Sequence, residues 1–453
     1  MENTAENITD TCTGPVFRPG DAGYDEEIAG FQTAYPHRPA LVVGARHAED
    51  VRVAVEYAAR HGLPVAVQAT GHGLSVAADG GVLISTRRMN ILEIDVETCT
   101  ARVGAGVRAG ALVEAAAAHG LAPLIGSSPS VGIVGYLLGG GIGLLAREFG
   151  YAAEHVEALE LVTADGRVRR VQPGDELFAA ALGSGGNFGV VTAVVLGLLP
   201  VTEVYGGQLM FDTPLVERAL EVWRDWTATV PDELTSTVAM LRFPDIPQVP
   251  APLRGRFVAS FRIAYHGSAA DGERLVAPLR AVGERLKDDL RVMPYTESHT
   301  IHSDPDHPHA YAATNALLTA LTGETLSALL AAAGPDSDAD AVIDIRHLGG
   351  ALAKPRAEIA VDHREAAYVV RVITDAGNAG TAPESQATIR AALAPWTLGH
   401  SLNFLYGAGA DADEAQTRGG YAVGTYTRLA ELKAKYDPHN MFRFNRNIRP
   451  ARR

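Results

Sequence analysis

Cysteine is nearly missing from this chain: Cys12 and Cys99 are the only two in 453 residues, too few for a disulfide-held scaffold. A basic surplus is missing too. The 39 Lys and Arg stand against 53 Asp and Glu, a formal charge of −14, so neither nucleic acid nor an anionic membrane is expected as the main partner. No stretch reaches the roughly 18–20 uninterrupted apolar residues of a membrane span. The opening MENTAENITDT is polar and acidic, without the basic and apolar regions of a secretory signal, so cytoplasmic residence is the expectation. Aromatics make up only 6%, with no run suited to stacking sugars. Internal repeats and low-complexity linkers are absent as well. What remains, 47% hydrophobic and 20% charged, is the composition of a soluble globular chain long enough for two or three domains.

Periodicity divides that length into elements. Residues 39–45 and 63–69 read as strands, and between them Val51, Ala54, Val55 and Ala58 fall on one helical face closed by Gly62. This β-α-β unit ends at Thr70-Gly71-His72, a place where α/β proteins commonly hold ligands. A second, alanine-rich helix runs from Ala109 to His119. Val156–Thr163 and Arg167–Val171 flank the hairpin signal Ala164-Asp165-Gly166, and Gly189–Leu199 is an apolar strand. Asp212-Thr213-Pro214 then starts a helix with Leu215, Ala219, Val222 and Trp226 as its buried stripe. Strands at 234–243, 256–265, 341–347 and 367–373 alternate with helices at about 270–287 and 315–333, which predicts an antiparallel sheet backed by helices. A last helix covers Ala422–Lys435.

The sharpest signals are two glycine-rich segments. One is Gln68-Ala69-Thr70-Gly71-His72-Gly73-Leu74-Ser75. The other is Ser128-Pro129-Ser130-Val131-Gly132 leading into Gly139-Gly140-Gly141-Ile142-Gly143. Glycine lets backbone N–H groups close on a phosphate or a flat ring, and a histidine set among such turns can be presented to what they hold. Together they read as the cradle of a flavin dinucleotide, with His72 as its covalent anchor. Gly104-x-Gly106-x3-Gly110 lacks the spacing of the dinucleotide fingerprint and reads as a turn before a helix. His299, His302, His307 and His309 crowd around Asp304-Pro305-Asp306, but their proline-broken spacing is not that of a metal site. They read as a loop at the substrate mouth, and no metal is expected.

With Gly185-Gly186-Asn187-Phe188-Gly189-Val190-Val191-Thr192, Lys435-Tyr436-Asp437-Pro438-x-Asn440 and Asn445-x-Asn447-Ile448 added, the chain resembles the vanillyl-alcohol-oxidase superfamily in its berberine-bridge-enzyme-like branch. The resemblance covers most of 35–205 and the tail from about 400. Ile345-Arg346-His347-Leu348-Gly349-Gly350 and His363-Arg364 resemble the family's substrate domain. It implies an α+β fold: a two-part PCMH-type FAD-binding domain (1–205 and 401–453) with an inserted substrate domain (206–400) whose antiparallel sheet roofs the isoalloxazine. It also implies that Gly135, Tyr136, Asn187, Gly189, Val190, Val191, Asn445 and Asn447 join the two glycine-rich segments in binding FAD. The attachment it implies is from His72 to the flavin 8α-methyl carbon. A second, cysteinyl attachment would fall at Ser128, which cannot form it, so single attachment through His72 is expected. The family's second histidine is replaced by Val134-Gly135-Tyr136. Its Tyr-x-Asn pattern reads Ser401-Leu402-Asn403, which passes the acid/base role to Tyr406.

Strand alternation puts Asp344 and Arg346 on one face and Ile343, Ile345 and His347 on the other; Tyr368, Val370 and Val372 oppose Val369, Arg371 and Ile373. With the polar face turned to the cofactor, Arg346 and Tyr368 join Tyr406 and Asn403 as the expected catalytic residues. The expected reaction takes a hydride from an alcohol or amine-type carbon of a small organic molecule, a secondary-metabolite intermediate by preference, to flavin N5. Among relatives a small residue at the position of Val131 leaves room for dioxygen, which favours an oxidase releasing H2O2. The alternatives are a cyclase using FAD structurally, a sugar or alcohol dehydrogenase with another acceptor, and a redox-silent flavin-binding protein.

Overall fold

The computed structural model describes residues 8–377, 382–407 and 414–452, so the first seven residues of the acidic opening lie outside it. Three sheets carry the chain. The first is four-stranded, with Leu41–Gly44 and Val65–Gln68 each lying parallel to Val82–Ser85 between them, and Val16–Phe17 antiparallel at one edge. The expected β-α-β unit is present, but its two strands are separated by the third rather than paired. Its helix, Ala48–His61, buries Val51, Ala54, Val55 and Ala58 as the periodicity requires. Gly62 stops it in the left-handed conformation, and its N–H bonds back to the Ala58 and Ala59 carbonyls.

The second sheet is antiparallel, in the order Leu92–Asp95, Thr100–Gly104, Val190–Gly197, Val156–Val162, Val168–Val171. The hairpin at Ala164-Asp165-Gly166 forms because the Asp165 carboxylate accepts the Thr163 hydroxyl at 2.6 Å and the Arg167 N–H at 3.2 Å. Helix Ala109–Ala117 packs Leu112, Val113 and Ala116 into the same core.

The third sheet has nine antiparallel strands and is backed by the helices Val216–Thr227, Ala269–Arg280, Gly323–Ala333 and Ala382–Leu393. Trp223, Phe211, Phe261, Val238, Ile345 and Val370 fill the layer between sheet and helices. All four strands read from the sequence here are found, at Leu234–Arg242, Phe257–Tyr265, Val342–His347 and Tyr368–Asp375. Three readings are corrected. The helix expected over about 270–287 is Ala269–Arg280, and Lys287 already belongs to the short strand Lys287–Asp288. Residues 315–318, expected as the start of a helix, belong to the strand Tyr311–Leu318, whose eight residues are all buried and therefore show no alternation. The first helix begins at Val216 after a 3-10 turn over Thr213–Leu215, which moves its buried stripe to Val216, Ala219, Leu220, Trp223 and Trp226 and leaves Leu215 and Val222 half-buried.

The C-terminal helix, Val423–Tyr436, anchors the tail to the first half of the chain. Lys433 and Asp437 are fully buried and paired at 2.7 Å. The Lys433 ammonium also donates to the Asn187 carbonyl (2.6 Å) and the Phe442 carbonyl (2.9 Å), while Asp437 accepts the N–H groups of Met441 (2.7 Å) and Phe442 (2.9 Å). Every polar atom of the pair is thereby satisfied, the condition under which a buried ion pair is tolerated. Among the described residues no helix is long and apolar enough to cross a membrane.

Candidate active site

The His72 turn follows Val65–Gln68 directly. Gly71 sits at φ +74, and a Cβ there would come within 2.7 Å of Gly30 Cα, so glycine is required both by conformation and by the close approach of the two backbones. The His72 ring stacks on Phe31 at 3.6 Å between centroids. Its Nε2 shares a 2.9 Å hydrogen bond with the Ser130 hydroxyl, and Ser130 shares another of 2.9 Å with Ser128. That leaves Nδ1 as the nitrogen not held by the serine pair. Burial, reinforced by the Arg108 guanidinium, pulls the imidazole down to about 4, so the ring is neutral at physiological pH. Ser130 was not singled out in the sequence; the Ser-Pro-Ser spacing around Pro129 was its only signal.

The Ser128–Gly132 turn is held in place by its backbone. The Pro129 carbonyl accepts the Gly110 N–H (2.8 Å) and the Val131 carbonyl accepts the Ala109 N–H (2.9 Å). The turn touches the first segment where Gly132 meets the side chains of Ala69 and Thr70. Ser75 is half-buried beside Leu74, whose carbonyl accepts the Gly407 N–H at 2.7 Å. Gly139 is glycine because Asn403 needs the space: a Cβ would overlap the Asn403 amide. That amide donates to the Tyr136 carbonyl at 3.0 Å, so Asn403 braces this loop against the tail. Gly140 lies against Val361 and Tyr151, and Gly141 and Gly143 lie against the Tyr136 ring, so this run admits protein side chains.

The side chains of two expected cofactor residues brace the protein. Gln68 is buried, its Nε2 donating to the Ile28 carbonyl (3.0 Å) and its Oε1 accepting from His37 Nε2 (3.0 Å). The Ala78 N–H donates into His37 Nδ1, which fixes Nε2 as the protonated nitrogen. Asn187 is fully buried at the head of the Gly189-Val190-Val191 strand. It donates to the Ser184 (2.6 Å) and Arg446 (2.9 Å) carbonyls and accepts the Ile448 N–H (2.8 Å), which stitches the tail to the first half.

Other positions are open. A Cβ on Gly73, Gly135, Gly185 or Gly186 would meet nothing within 4 Å. Asn445 Oδ1, Asn447 Oδ1 and the Tyr136 hydroxyl are buried and have no hydrogen-bond partner among the described residues. Burial pushes the Tyr136 phenol up, so it remains a neutral O–H. Open glycine turns beside buried, unanswered hydrogen-bonding atoms suit a ligand rich in hydroxyl and carbonyl groups.

The nine-stranded sheet turns its helix-free face toward this region. Register aligns Gln208, Arg262, Thr237, Arg346 and Val369 in one row and Ser260, Ala239, Asp344, Arg371 and Asn315 in the next. Asp344 is the hub. Arg371 Nη1 (2.7 Å) and Arg346 Nε (3.0 Å) donate to its Oδ2, and Arg262 lies 3.6 Å from Oδ1. Burial alone would raise the Asp344 carboxyl, but the three arginines hold it well below the usual carboxylate range. Arg371 Nη2 donates to the Tyr406 hydroxyl at 2.8 Å, and Phe404 lies under the guanidinium groups of Arg371 (4.2 Å) and Arg346 (4.9 Å). The Tyr406 ring meets Tyr311 edge-on at 5.4 Å, and the Tyr311 hydroxyl donates to the His72 carbonyl at 2.6 Å. A continuous set of contacts thus joins the His72 turn to the arginine face.

Tyr368 is not part of it. Its register partner is His347, and both lie on the opposite side of the strand pair from Arg346. The Tyr368 hydroxyl bonds Thr227 at 2.6 Å and its ring packs toward Trp223 in the helix layer. The residue its strand contributes to the cavity face is Arg371. In the histidine-rich segment, His302 is buried with Nδ1 3.5 Å from Arg262, while His309 packs 5.5 Å from the Phe31 ring. Asp304 accepts from the Ser127 hydroxyl.

Comparison with known proteins places this geometry. Residues 39–172 match the FAD binding domain model, and residues 410–449 match the model described as berberine and berberine like. The chain matches the berberine-bridge-enzyme-like FAD-linked oxidoreductase family. (R)-6-hydroxynicotine oxidase of Paenarthrobacter nicotinovorans is 29% identical over 96% of this chain and 97% of its own. The crystal structure of 6-hydroxy-D-nicotine oxidase from Arthrobacter nicotinovorans aligns with a TM-score of 0.83 at 26% identity, covering 99% of this chain and all of that one. A carbohydrate oxidase from Microdochium nivale shares the fold, with a TM-score of 0.84 at 20% identity over 98% and 99% of the two chains. In this FAD-linked chain, the open turns at Gly73, Gly185 and Gly186, the bare helix position Gly135 and the unanswered atoms of Tyr136, Asn445 and Asn447 fit the cofactor's polar groups.

Proposed function

We propose that the protein oxidises a small organic alcohol or amine-type carbon, with FAD tethered through His72 alone and dioxygen as the final acceptor. The observation that carries this reading is the bridge from His72 through Tyr311 to Tyr406 and Arg371. In this reading one chain of contacts links the flavin anchor to a candidate proton acceptor. Bound FAD supplies the two-electron acceptor for the hydride.

The chain's own groups do the rest. Nδ1 of a neutral His72 is the nucleophile for the tether, because Ser130 occupies Nε2 and burial keeps the ring unprotonated. Arg371 can only donate, so it takes one lone pair of the Tyr406 oxygen and leaves the other to face the substrate. On that lone pair Tyr406 takes up the proton that the substrate's O–H or N–H loses as the hydride leaves, while its own hydroxyl proton passes to water. Arg346 orients the substrate from the neighbouring strand. Val131, in the turn beside Ser130, is the small residue that leaves dioxygen a path.

Anaerobic mixing of the yellow protein with a panel of secondary amines and alcohols tests the reaction. With a substrate, the visible flavin band should bleach, then return in air with one H2O2 per molecule oxidised. Product formed without bleaching would overturn an oxidative role. Bleaching reversed only by an artificial acceptor would overturn the assignment of dioxygen.

A further inference from the structure

We propose that the substrate is an acid: it carries a carboxylate or comparable oxyanion, held on the sheet between Arg262 and Arg346. This rests on the oxidase reading and narrows its substrate class. Charge is the first ground. Three guanidiniums, those of Arg262, Arg346 and Arg371, share the single carboxylate of Asp344. The other acidic group near them, Asp304, is hydrogen-bonded to Ser127 on the cofactor-side loop. Three positive charges against two negative ones leave one guanidinium without a counterion in a buried place, an arrangement that is costly until something anionic arrives. The nearby histidines add no charge: burial and Arg262 take His302 down to about 3, and burial and Arg147 take His347 to about 3.

Unanswered donors are the second ground. Thr237 Oγ1, Ser260 Oγ, Arg262 Nε and Arg371 Nε are all buried without a hydrogen-bond partner among the described residues. Register puts all four on the helix-free face of the sheet. Against these four stands one unanswered acceptor, Asp344 Oδ1, 3.6 Å from Arg262; guanidinium N–H groups can only donate and hydroxyls can do so, so the partner still missing is an acceptor with several lone pairs.

Room is the third. The side chains between the arginines are small: Thr235, Thr237, Ala239, Ser260 and Ala264. With Ile142, Gly143 and Leu144 as the facing wall, Arg262, Arg346, Thr235 and Thr237 line a cleft. The cleft is narrow, with space for about one water (≈ 10 Å³), so a single oxyanion oxygen taking that place would meet two guanidinium forks and a hydroxyl. A cationic amine meets repulsion. A neutral polyol satisfies the donors but leaves the charge uncompensated.

The test uses the purified yellow protein and three acid–amide pairs: benzoate with benzamide, phenylacetate with phenylacetamide, and indole-3-acetate with its amide. Binding is read by perturbation of the flavin spectrum and by titration calorimetry, and flavin integrity by dithionite reduction. At least one acid should bind about tenfold or more tighter than its amide, the ratio expected of a charge-assisted hydrogen bond, and added salt should weaken it. Arg346→Gln should remove the preference, and Arg346→Lys should keep part of it. Equal binding of all three pairs by a protein that is yellow and reducible overturns the acid-substrate proposal and leaves the oxidase reading standing. A protein that holds no reducible flavin overturns both.

Discussion

Tyr406→Phe should slow anaerobic, substrate-driven bleaching of the flavin by roughly 10²–10⁴-fold, the span expected when a positioned acid/base is removed, with flavin content unchanged. Phenylalanine keeps the ring that packs edge-on against Tyr311, so the shape of the compartment survives. What disappears is the oxygen that Arg371 Nη2 holds at 2.8 Å. The loss should fall on kcat rather than KM, because the hydroxyl matters when the proton moves and less when the substrate docks. Rapid mixing under argon, with any substrate found to bleach the protein, separates the two. A variant that bleaches at the wild-type rate would place the proton elsewhere and reduce Tyr406 to a packing residue.

The second large effect is on stability. Asp437→Asn should destabilise the protein by about 3–5 kcal/mol, the cost of leaving one member of a buried pair without its partner. Lys433 and Asp437 are both fully buried, and burial already lowers the Lys433 ammonium, so it tolerates no loss of its counterion. The same ammonium ties Asn187 and Phe442, and Asn187 in turn ties Arg446 and Ile448. The tail that presents Asn445 and Asn447 should therefore loosen together with the pair. A urea titration followed by flavin fluorescence should show an earlier transition, and limited proteolysis should cut the tail first. Lys435→Gln is the control: its partner Glu176 is exposed, and the substitution should leave the transition where it was. Equal effects of the two substitutions would contradict the role given to the buried pair.

The parts of this site that could be read in the sequence are those fixed by local backbone demands. Gly71 beside His72 is legible because only glycine permits φ +74 against Gly30. The Lys435–Asp437 stretch is legible as a family motif, although the buried amine that matters is Lys433. The parts that could not be read depend on which side of a two-sided strand meets which layer. In Tyr368–Asp375 alternation yields two sets, and nothing along the strand says which one faces the helices. The pairing of Arg346 with Val369 and of Asp344 with Arg371 decides it, and sends Tyr368 to Thr227. Polarity misled here, because a tyrosine in a helix-backed core needs only one hydroxyl partner to be content. Tyr311–Leu318 was hidden for a related reason: buried on both faces, its Ala- and Leu-containing run has no period of two. Glu203–Asp212 went unread because Gly206 and Gly207 interrupt its apolar pattern. Gln68 and Asn187 were legible as important polar residues, but not as braces, since their partners Ile28, His37 and Ile448 come from distant segments.

Acid precipitation of the purified yellow protein, with and without His72→Ala, addresses the anchor itself. The colour should stay in the wild-type pellet and pass to the supernatant for the variant, because the proposed function makes one neutral imidazole, held by Ser130, the sole tether. Free flavin released from the wild type, or colour retained in the His72→Ala pellet, would contradict it.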